Sequence, residues 1–590
     1  MRTAYGRLSS LWLVDFEFIS RPGEPPVPLC VVAHELRTGR WVRRWLQGVN
    51  NAARLDLGRN AALVAYLASA EIGCFLQLGW RLPRLVIDLF AEHRVMTNGL
   101  PVFRNGLLDA MQFRGIEHGV DKLEKDEMRE LAIRGAPYTD DEKAALLAYC
   151  ETDVVALAKL LPVMLPQLDL NQALFRGQYM VEVARIEAHG VPVDAERLSL
   201  FLRRWDDIRQ QVGRLANERY ENVFKRDVTF SRRRFNRYLS RRGITWPRLD
   251  SGKLDLKDKT FSMMVKLRPE LRQLRDARKI LSRMRLNKFA IGADSCNRAM
   301  ISPFRSKTGR NQPSNSKFLI VASAWLRYFV KPADGRAVAY IDYSQQEFAV
   351  AAALSEDVAM LAAYKSGDPY MALAIACGAA PADATGETHH AVREVYKVVV
   401  LATLYGMGAR AMAEALGIPL ANAESLLGQI YRAYPRYWEW SNSESTRAQF
   451  FREQSTCLGW NIRYPVVTMG RDFGLYRWRI AKQDRTMRNW PVQAAGAEIL
   501  RIAIVLGGQR GVRICAPVHD AVLIEDSVED IGRAMATMRA CMSEAAKIVT
   551  GIDVRTGEPD VACWPDRYRD KKGKGFEMWE QLCRILNLEP

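Results

Sequence analysis

Two aspartates, each placed at the end of an apolar run, are the residues of this chain best suited to do chemistry. Asp342 follows the apolar run Ala337–Ile341 and precedes a helical pattern, and Asp520 stands beside His519 between two further apolar runs. The patterns predict a strand followed by a helix at the first site and a strand–turn–strand at the second. Two carboxylates held at buried strand ends can share a pair of Mg²⁺ ions about 3.5–4 Å apart for phosphoryl transfer.

A second set of acids lies in the N-terminal part of the chain. Asp15 and Glu17 end a predicted strand and stand two residues apart, so both side chains lie on one face. Tyr149 and Asp153 are four residues apart in a helical pattern and share one helical face. Either pair alone is weak evidence for a site, but the two pairs in this order within one predicted domain are more specific.

Two sets of residues with four-residue spacing, called here ladders, each predict a single helix face. The first ladder is Arg393, Lys397, Leu401 and Tyr405, and the second is Arg485, Asn489 and Gln493. Cations on one helix face can clamp a triphosphate, the arginine with forked donors and the lysine as a point charge. Amides can test the minor-groove acceptors that every correct base pair presents. Pro491 lies inside the second ladder and predicts a kink there.

Composition bounds the class of protein. The 590 residues are too many for one hydrophobic core, and 85 Lys and Arg against 67 Asp and Glu give a net charge of +18, which favours a nucleic-acid partner. The ten cysteines form no CxxC pair, which argues against a zinc module and indicates reduced thiols in a cytoplasmic protein. Ala61–Trp80 is largely apolar but contains Glu71 and Gln77, so we expect a strand and a buried helix there and no membrane span.

The N-terminal part alternates strand-like and helix-like patterns, which predicts an α/β unit. The predicted elements are strands at Leu11–Phe18 and Leu29–Glu35 and helices at Asp141–Leu161 and Gln172–His189, the last ending at Gly190. Residues 195–300 read as helical, and Leu271–Ala290 carries seven Lys or Arg among regularly spaced apolar residues. One face of that segment can pack while the other contacts phosphates.

Three ordered motifs resemble those of the family A DNA polymerases, the group typified by bacterial DNA polymerase I. Residues 342–347 (DYSQQE) resemble motif A, residues 518–520 (VHD) resemble motif C, and the first ladder with Gly406 has the spacing of motif B. Residues 308–310 (TGR) match another signature of that family, and the C-terminal segment CWPDRYRDKKGKGFEMW resembles its compact phage and mobile-element branch. The three motifs together are strong evidence, although each alone would be weak.

The resemblance implies an α/β multidomain fold, with an RNase H-like exonuclease domain followed by a right-hand polymerase. The implied ranges are exonuclease-like 1–168 and polymerase 169–590, the latter with a thumb at about 190–300, a palm at about 301–360 and 485–590, and fingers at about 361–484. It also implies that Asp342, Asp520 and the backbone carbonyl of Tyr343 hold two Mg²⁺ ions, for which Mn²⁺ can substitute.

The resemblance assigns further roles, with Lys397 acting in catalysis and Glu347 as a steric gate against a ribose 2′-hydroxyl. The implied nucleotide contacts are Gln345, Glu347, Arg393, Lys397, Leu401 and Tyr405, and the implied DNA contacts are Lys307, Arg310, Arg485, Asn489, Gln493 and His519. Two positions depart from the family pattern. Leu401 stands where an aromatic residue is usual, which puts sugar discrimination in question, and Ala521 stands where Glu is usual, which bears on the position of the primer end.

Asp15, Glu17, Tyr149 and Asp153 together resemble the tyrosine subtype of the DEDD 3′–5′ exonucleases. The resemblance implies that the three acids bind two metal ions while Tyr149 orients the attacking water. The fourth acid of that family is normally Asp. Glu71 is the best aligned acid here, and Asp88 is a second candidate that better fits an internal strand end.

The expected partners are primer-template DNA and dNTPs, in the cytoplasm of a bacterial cell or a phage-infected host. The leading interpretation is a DNA-dependent DNA polymerase with 3′–5′ proofreading. One alternative is a polymerase whose exonuclease fold is inactive, and another is a non-catalytic DNA-binding factor on a polymerase fold. The intact Asp342, Lys397 and Asp520 argue against the last alternative.

Overall fold

The computed structural model describes residues 8–47, 54–55, 57–58, 60–101, 104–117, 122–249, 251–283, 286–472, 475–480, 484–571 and 573–590. The first three residues of the segment that carries the second ladder, 481–483, lie outside the described residues, as do residues 284–285 of the basic segment.

The N-terminal part is a five-stranded mixed sheet with helices packed against it. Its elements are strands β1 (Ser10–Ile19), β2 (Val27–Glu35), β3 (Trp41–Trp45), β4 (Ala61–Ala65) and β5 (Leu85–Asp88) and helices α1 (Ser69–Gln77), α2 (Leu89–Thr97), α3 (Leu107–Phe113), α4 (Lys122–Arg134) and α5 (Asp140–Met164). The strand order is β3-β2-β1-β4-β5, antiparallel on the β3 side of β1 and parallel on the β5 side. The predicted strands and the long helix are confirmed, and the apolar segment at 61–80 is indeed a buried strand and a helix.

Helix α6 (Leu170–His189) joins the two halves of the chain. Asp169 caps its start, and Gly190 stops it with a φ of +76°, as the sequence predicts. Gly177 lets the helix lie directly on β5, because a Cβ there would stand 1.9 Å from the carbonyl oxygen of Val86. The same helix also packs against α1.

A helical subdomain follows a short β6 strand (Val191–Pro192), which pairs with β7 (Cys296–Asn297). Its helices are α7 (Ala195–Arg203), α8 (Trp205–Arg219), α9 (Arg232–Arg241), α10 (Asp258–Leu267) and α11 (Arg272–Arg283). An aromatic cluster of Phe230, Phe235, Trp246 and Phe261 fills part of its interior. The apolar positions of α9 are buried there, while most of its arginines face outward. Arginine stripes opposite an apolar face suit contact with phosphates.

The remaining chain alternates one small sheet with many helices. From 319 to 480 the elements are α12 (Leu319–Ala322), β8 (Arg336–Asp342), α13 (Gln346–Ser355), α14 (Val358–Lys365), α15 (Pro369–Ala376), α16 (His390–Leu404), α17 (Ala409–Leu416), α18 (Leu420–Ala433), α19 (Pro435–Phe451), β9 (Glu453–Ser455), β10 (Asn461–Arg463), β11 (Val466–Asp472) and β12 (Leu475–Ile480). Strands β9 and β10 form one hairpin and β11 and β12 another.

The C-terminal elements complete the sheet that β8 begins. They are α20 (Asp484–Gln509), β13 (Ile514–Val518), β14 (Ala521–Ser527), α21 (Ile531–Thr550), β15 (Asp560–Cys563) and α22 (Phe576–Ile585). The four-stranded sheet has the order β13-β14-β8-β15, with antiparallel neighbours throughout. Helices α20 and α21 pack against each other, and α21 also packs against β8 and β14.

Helix α20 is the one helix of the described residues long and apolar enough to cross a membrane by length and composition. However, 89% of its apolar window is buried inside the protein, as expected of a core helix. Pro491 lies inside this helix, which continues past it.

Candidate active site

The antiparallel pairing of β8 with β14 brings the two predicted aspartates side by side. Asp342 is the last residue of β8 and pairs with Ala521, the residue that follows Asp520. The amide of Tyr343 donates to the carbonyl oxygen of Asp520 at 3.3 Å. The two carboxylates therefore stand at one end of the sheet, where the turn of the β13–β14 hairpin meets the end of β8.

Gly557 packs against Asp342 at this end of the sheet. Its amide donates to the backbone carbonyl of Asp342 at 2.8 Å, and a Cβ there would stand 2.7 Å from Oδ1 of Asp342. Only a residue without a side chain leaves room for the Asp342 carboxylate at this contact. The backbone at this candidate metal ligand is thus fixed by a hydrogen bond.

The charge at this end of the sheet suits a divalent cation. Burial raises the pKa of Asp520, and the neighbouring Asp342 carboxylate raises that pKa further, while Arg310 and His519 oppose the shift. Burial lowers the pKa of His519, which sits in the turn with a φ of +58°. Two carboxylates are hard oxygen donors of the kind that Mg²⁺ prefers, so the residues present fit the predicted metal.

A polar cluster lies next to the acidic pair and gathers four predicted residues from four parts of the chain. The hydroxyl of Tyr405 donates to the carboxylate of Glu347 at 2.6 Å, and Nε2 of Gln493 donates to that hydroxyl at 2.8 Å. Nη2 of Arg310 lies 3.7 Å from Glu347. Burial raises the pKa of Tyr405, and the Glu347 carboxylate raises it further. Side chains expected to contact nucleotide and DNA are therefore brought together.

The two cations of the first ladder are each paired with acids. Arg393 pairs with Asp368 and, at 3.0 Å, with Glu394, and Nζ of Lys397 lies 3.3 Å from the same Glu394. Asp368 also caps the start of α15. These acids hold Arg393 and Lys397 in place, and a triphosphate must compete with them for the two cations.

The other ladder residues lie on, or directly after, helices α16 and α20. Leu401 packs partly buried near the end of α16, and Tyr405 follows that helix as its C-terminal cap. Arg485 is exposed, and its Cγ lies against Gly406, where a Cβ would stand 3.1 Å away. Asn489 is partly exposed on α20, one turn before Gln493.

The residues around the TGR sequence form a loop tied to the protein interior. Gly309 adopts a φ of +77°, and the buried Arg501 donates to its carbonyl oxygen at 2.8 Å. Lys307 is exposed, whereas its backbone carbonyl is an acceptor for buried donors. Gln345 adopts a left-handed φ of +51° at the start of α13, and its buried Oε1 has no partner among the described residues.

The N-terminal acids also meet, between β1, α1 and α5. Burial raises the pKa of Asp15, and the charges of Glu71, Asp153 and Glu17 raise it further. Burial likewise raises the pKa of Glu71, with Glu17 and Asp153 adding to the shift. Tyr149 lies among the same charges, and burial followed by Asp153, Glu17 and Asp15 raises its pKa. The five predicted residues therefore form one cluster.

The structure distinguishes the two candidates for the fourth acid. Asp88 accepts hydrogen bonds from the backbone amides of Leu67, Ala68, Phe90 and Ala91 at 2.8–3.3 Å, and it caps α2. Its carboxylate oxygens therefore bind backbone amides, as expected for an acid at an internal strand end. Glu71 is 4% exposed, and its Oε2 has no partner among the described residues. A buried, unsatisfied carboxylate oxygen facing other acids fits a cation ligand.

Cys150 is a member of this cluster that the sequence analysis missed. Its thiol donates to Oδ2 of Asp15 at 3.2 Å and is buried beside Tyr149. The position next to Tyr149 in the helical pattern was visible in the sequence, but adjacent helical residues point in different directions. Its contact with β1 depends on how α5 lies across the sheet.

A further group of potential metal ligands consists of His189, Cys515 and Glu525. The Glu525 carboxylate lies 3.1 Å from Arg513 and 3.6 Å from Arg336. Two guanidinium groups already neutralise that carboxylate, so the group does not suit a cation.

The fold and the paired acids define a nucleotidyltransferase of the polymerase class. The family model described as "DNA polymerase family A" matches residues 320–560, which contain the two aspartates and the first ladder. Over these residues the chain matches DNA polymerase family A, and this match, together with similarity to DNA polymerase I, indicates that the chain is a DNA-directed DNA polymerase.

Relatives and a solved structure show how far the similarity extends. DNA polymerase I of Aquifex aeolicus is 22% identical over 69% of this chain and 73% of its own length. The DNA polymerase of Mycobacterium phage L5 is 25% identical over 53% of this chain and 50% of its own length. The polymerase domain of Pol1 from M. smegmatis, solved with DNA primer-template and dNTP, superposes over 95% of this chain and 96% of that one, with a TM-score of 0.69 and 16% identity. This last likeness concerns the fold.

Proposed function

We propose that this polymerase extends the 3′ end of a primer on a DNA template by adding dNTPs, with Asp342, Asp520 and the carbonyl of Tyr343 as its metal ligands. The observation that carries the proposal is the register of β8 against β14, which places both aspartates at one end of the sheet. In the same proposal, the thumb is at about 190–300, the palm at about 301–360 and 485–590, and the fingers at about 361–484.

The side chains around the acidic pair provide binding, orientation and selection. Bound Mg²⁺ would lower the barrier by neutralising charge on the phosphates and activating the primer hydroxyl. Arg393 and Lys397 bind the triphosphate after exchanging their acidic partners for phosphate oxygens. Glu347, fixed by Tyr405, occupies the space that a ribose 2′-hydroxyl would need.

Gln493 and Arg310 carry donors to the minor groove at the primer end, where every correct pair presents acceptors. Asn489 lies one turn before Gln493 on α20 and faces the template strand in this proposal, with Arg485, Lys307 and His519 as further DNA contacts.

A primer-extension assay tests this function. Asp342→Asn and Asp520→Asn should each reduce nucleotide addition in Mg²⁺ by about a thousandfold or more, equivalent to about 4 kcal/mol of barrier. Binding of primer-template should change little, because each substitution keeps the side-chain shape. Glu529→Gln, at an exposed acid beyond the far end of β14, is the matched control and should extend at the wild-type rate. Extension by either aspartate variant at near wild-type rate would show that the metal site lies elsewhere.

We also propose a 3′–5′ exonuclease in the N-terminal sheet domain, carried by the cluster of Asp15, Glu17, Glu71 and Asp153. The charges of neighbouring acids raise the pKa of Asp15 and of Glu71, so the ionised carboxylates are stable together only when they are neutralised by cations. Two divalent metal ions supply that neutralisation and the chemistry of phosphodiester hydrolysis. In this proposal the hydroxyl of Tyr149, which lies among the same charges, orients the attacking water.

Degradation of a primer with a mismatched 3′ end tests the exonuclease. The wild-type chain should shorten this primer in Mg²⁺ or Mn²⁺, and Asp15→Asn combined with Glu17→Gln should not, while extension of a matched primer is retained. Asp141→Asn, at an exposed acid in the first turn of α5, is the control. A wild-type chain that leaves the mismatched end intact would instead support the alternative of an inactive exonuclease fold.

We infer that the protein works in the cytoplasm of a bacterial cell or of a phage-infected host. The relatives with similar sequences come from bacteria and a phage, and all ten cysteines are free thiols.

A further inference from the structure

We propose that Asn98 and Arg94 of the N-terminal sheet domain are positioning residues of the polymerase site, acting through the loop that carries Arg310. This loop, residues 304–310, is called here the TGR loop. The inference rests on the proposed primer extension, but it concerns residues outside the three polymerase motifs and more than 200 positions before the loop they hold.

Asn98 follows the last turn of α2 and is 1% exposed. Its Nδ2 donates to the carbonyl oxygen of Lys307 at 2.7 Å and to that of Asn461 at 2.7 Å. The backbone carbonyl oxygen of Asn98 accepts a hydrogen bond from the backbone amide of Arg463 at 2.8 Å. One buried amide thus joins the N-terminal sheet domain to the TGR loop and to the β9–β10 hairpin.

The orientation of this amide is determined by its surroundings. Both atoms that Nδ2 faces are carbonyl oxygens, which only a donor can contact favourably. Oδ1 of Asn98 is buried and has no partner among the described residues. An unsatisfied buried acceptor is unfavourable. The Asn98 side chain therefore keeps its two hydrogen bonds to Lys307 and Asn461 although its own Oδ1 is left without one.

Arg94 holds the beginning of the same loop. Its Nε donates to the carbonyl oxygen of Phe304 at 3.2 Å and its Nη2 to that of Arg305 at 3.2 Å. Nη1 donates to Oδ1 of Asn105, which keeps the guanidinium plane fixed. Arg94 and Asn98 stand four residues apart, so one end of α2 contacts three carbonyls of the TGR loop.

The other side of the loop is held by the polymerase half of the chain. The indole nitrogens of Trp460 and Trp490 donate to the carbonyl oxygen of Lys307 at 3.1 and 2.8 Å, and Arg501 donates to that of Gly309 at 2.8 Å. The loop is therefore fixed between α2 and α20. Arg310, which follows at once, lies against Glu347 in the cluster that selects the nucleotide.

The consequence is that a change in the N-terminal sheet domain shifts the guanidinium of Arg310. With Asn98→Asp, a carboxylate oxygen would face two carbonyl oxygens, and the repulsion would push the TGR loop away. The side-chain volume is unchanged, so the effect would come from hydrogen bonding. A loop displaced by about 1 Å is sufficient to lose an aligned contact with the primer.

The test measures whether Arg310 still contacts the primer when α2 is altered. All proteins carry Asp15→Asn and Glu17→Gln, so that primer degradation does not interfere. Incorporation of one dNTP in a single turnover is compared for primers ending in guanine and in 3-deazaguanine, which lacks the N3 acceptor in the minor groove. The reference protein should lose about tenfold or more with the deaza primer, since one good contact to a base edge has that size.

Arg310→Ala should be slow with guanine and insensitive to the deaza substitution. Asn98→Asp should resemble it, with a reduced rate and a deaza effect of less than about threefold. Arg94→Gln should show the same pattern more weakly. Gln112→Ala, an exposed amide on α3, is the matched control and should keep both the rate and the deaza effect.

The outcomes separate positioning from general damage. Slower variants that keep the full deaza effect, or variants with unchanged rates, would overturn the inference, as would a reference protein without a deaza effect. A reference protein that extends no primer would instead overturn the proposed function. If thermal unfolding shows that Asn98→Asp does not fold, Asn98→Ala and Arg94→Gln decide the question by the same ratio.

Discussion

The two acidic sites of this polymerase handle negative charge in different ways. At the polymerase site two aspartates stand at a sheet end, and Arg310 and His519 oppose the rise in the pKa of Asp520. At the N-terminal site four carboxylates lie together, Glu71 buried and the other three partly exposed, and the Cys150 thiol opposes the rise in the pKa of Asp15. The first site is partly balanced by the protein, whereas the second depends more strongly on bound cations or protons.

This difference leads to distinct expectations for catalysis and stability. The polymerase site should keep its geometry without metal, because hydrogen bonds and sheet pairing hold it. In the N-terminal cluster the ionised carboxylates repel one another when metal is absent, which should lower the stability of the folded protein. Substitutions in the two sites and among the nucleotide contacts test this difference.

The largest effect is expected for Glu71→Gln, which should separate the two sites completely. Shortening of a mismatched primer should become about a thousandfold slower, as expected for loss of a metal ligand, while extension is unchanged. Glu151→Gln, which alters an acid paired with Arg43 on the same sheet, is the control. Retained exonuclease activity in Glu71→Gln would mean that the cluster works with three acids.

The same variant should also be more stable than the wild type in EDTA. The folded-state pKa of Glu71 is raised, so its unfavourable contribution grows as pH rises above the ordinary carboxylate pKa, and it vanishes in acid where both states are protonated. The gain in the free energy of unfolding at pH 8 should be about 1–3 kcal/mol, and it should disappear near pH 4. Thermal unfolding at the two pH values measures it, and an equal gain at both would contradict the electrostatic explanation.

Glu347→Ala should show a smaller effect, on the choice of sugar. Space for the 2′-hydroxyl should raise the ratio of ribonucleotide to deoxyribonucleotide incorporation by about ten- to a hundredfold. Tyr405→Phe removes the hydroxyl that holds Glu347 and should raise the ratio less. Leu401→Tyr should leave this ratio unchanged and alter discrimination against dideoxynucleotides, because its hydroxyl can replace a missing 3′-hydroxyl. Unchanged ratios in Glu347→Ala would show that this residue is not at the sugar.

Asp368→Asn should give the smallest effect, on nucleotide binding. The substitution removes the charge that Arg393 must release before it binds phosphate. We expect the KM for dNTP to fall by about two- to threefold, with an unchanged maximal rate, because exposed and partly exposed pairs contribute little. A higher KM would show that Asp368 aligns Arg393 and does not compete with phosphate.

The sequence predicts the parts of both sites that depend on local pattern. Asp342 and Asp520 are recognisable because an apolar run ends at each, and the four-residue ladders fix which side chains share a helix face. The spacing of Asp15 and Glu17 on a strand and of Tyr149 and Asp153 on a helix likewise predicts which side chains share a face, whereas Glu71 was assigned from the resemblance to the DEDD exonucleases. For the residues predicted from local pattern, a short-range rule determined the direction of the side chain.

The contacts between distant segments could not be predicted in this way. The ion pair of Arg393 with Asp368 and the hydrogen bond of Cys150 with Asp15 depend on how whole elements pack. The bond from Asn98 to the carbonyl of Lys307 is invisible in composition and periodicity, since any residue offers a backbone carbonyl. Such contacts are set by tertiary packing, for which one sequence without relatives carries no local signal.

The contacts between α2 and the polymerase half of the chain matter when a shortened form of this enzyme is made. A large fragment that starts at α6 would lose the buried partner Glu92 of Arg176, together with every donor that α2 supplies to the TGR loop. The buried guanidinium of Arg176 would keep its hydrogen bond to the carbonyl oxygen of Leu458 but lose the acid that neutralises it. A proofreading-free reagent is therefore better made by substituting Asp15 and Glu17 than by cutting the domain away.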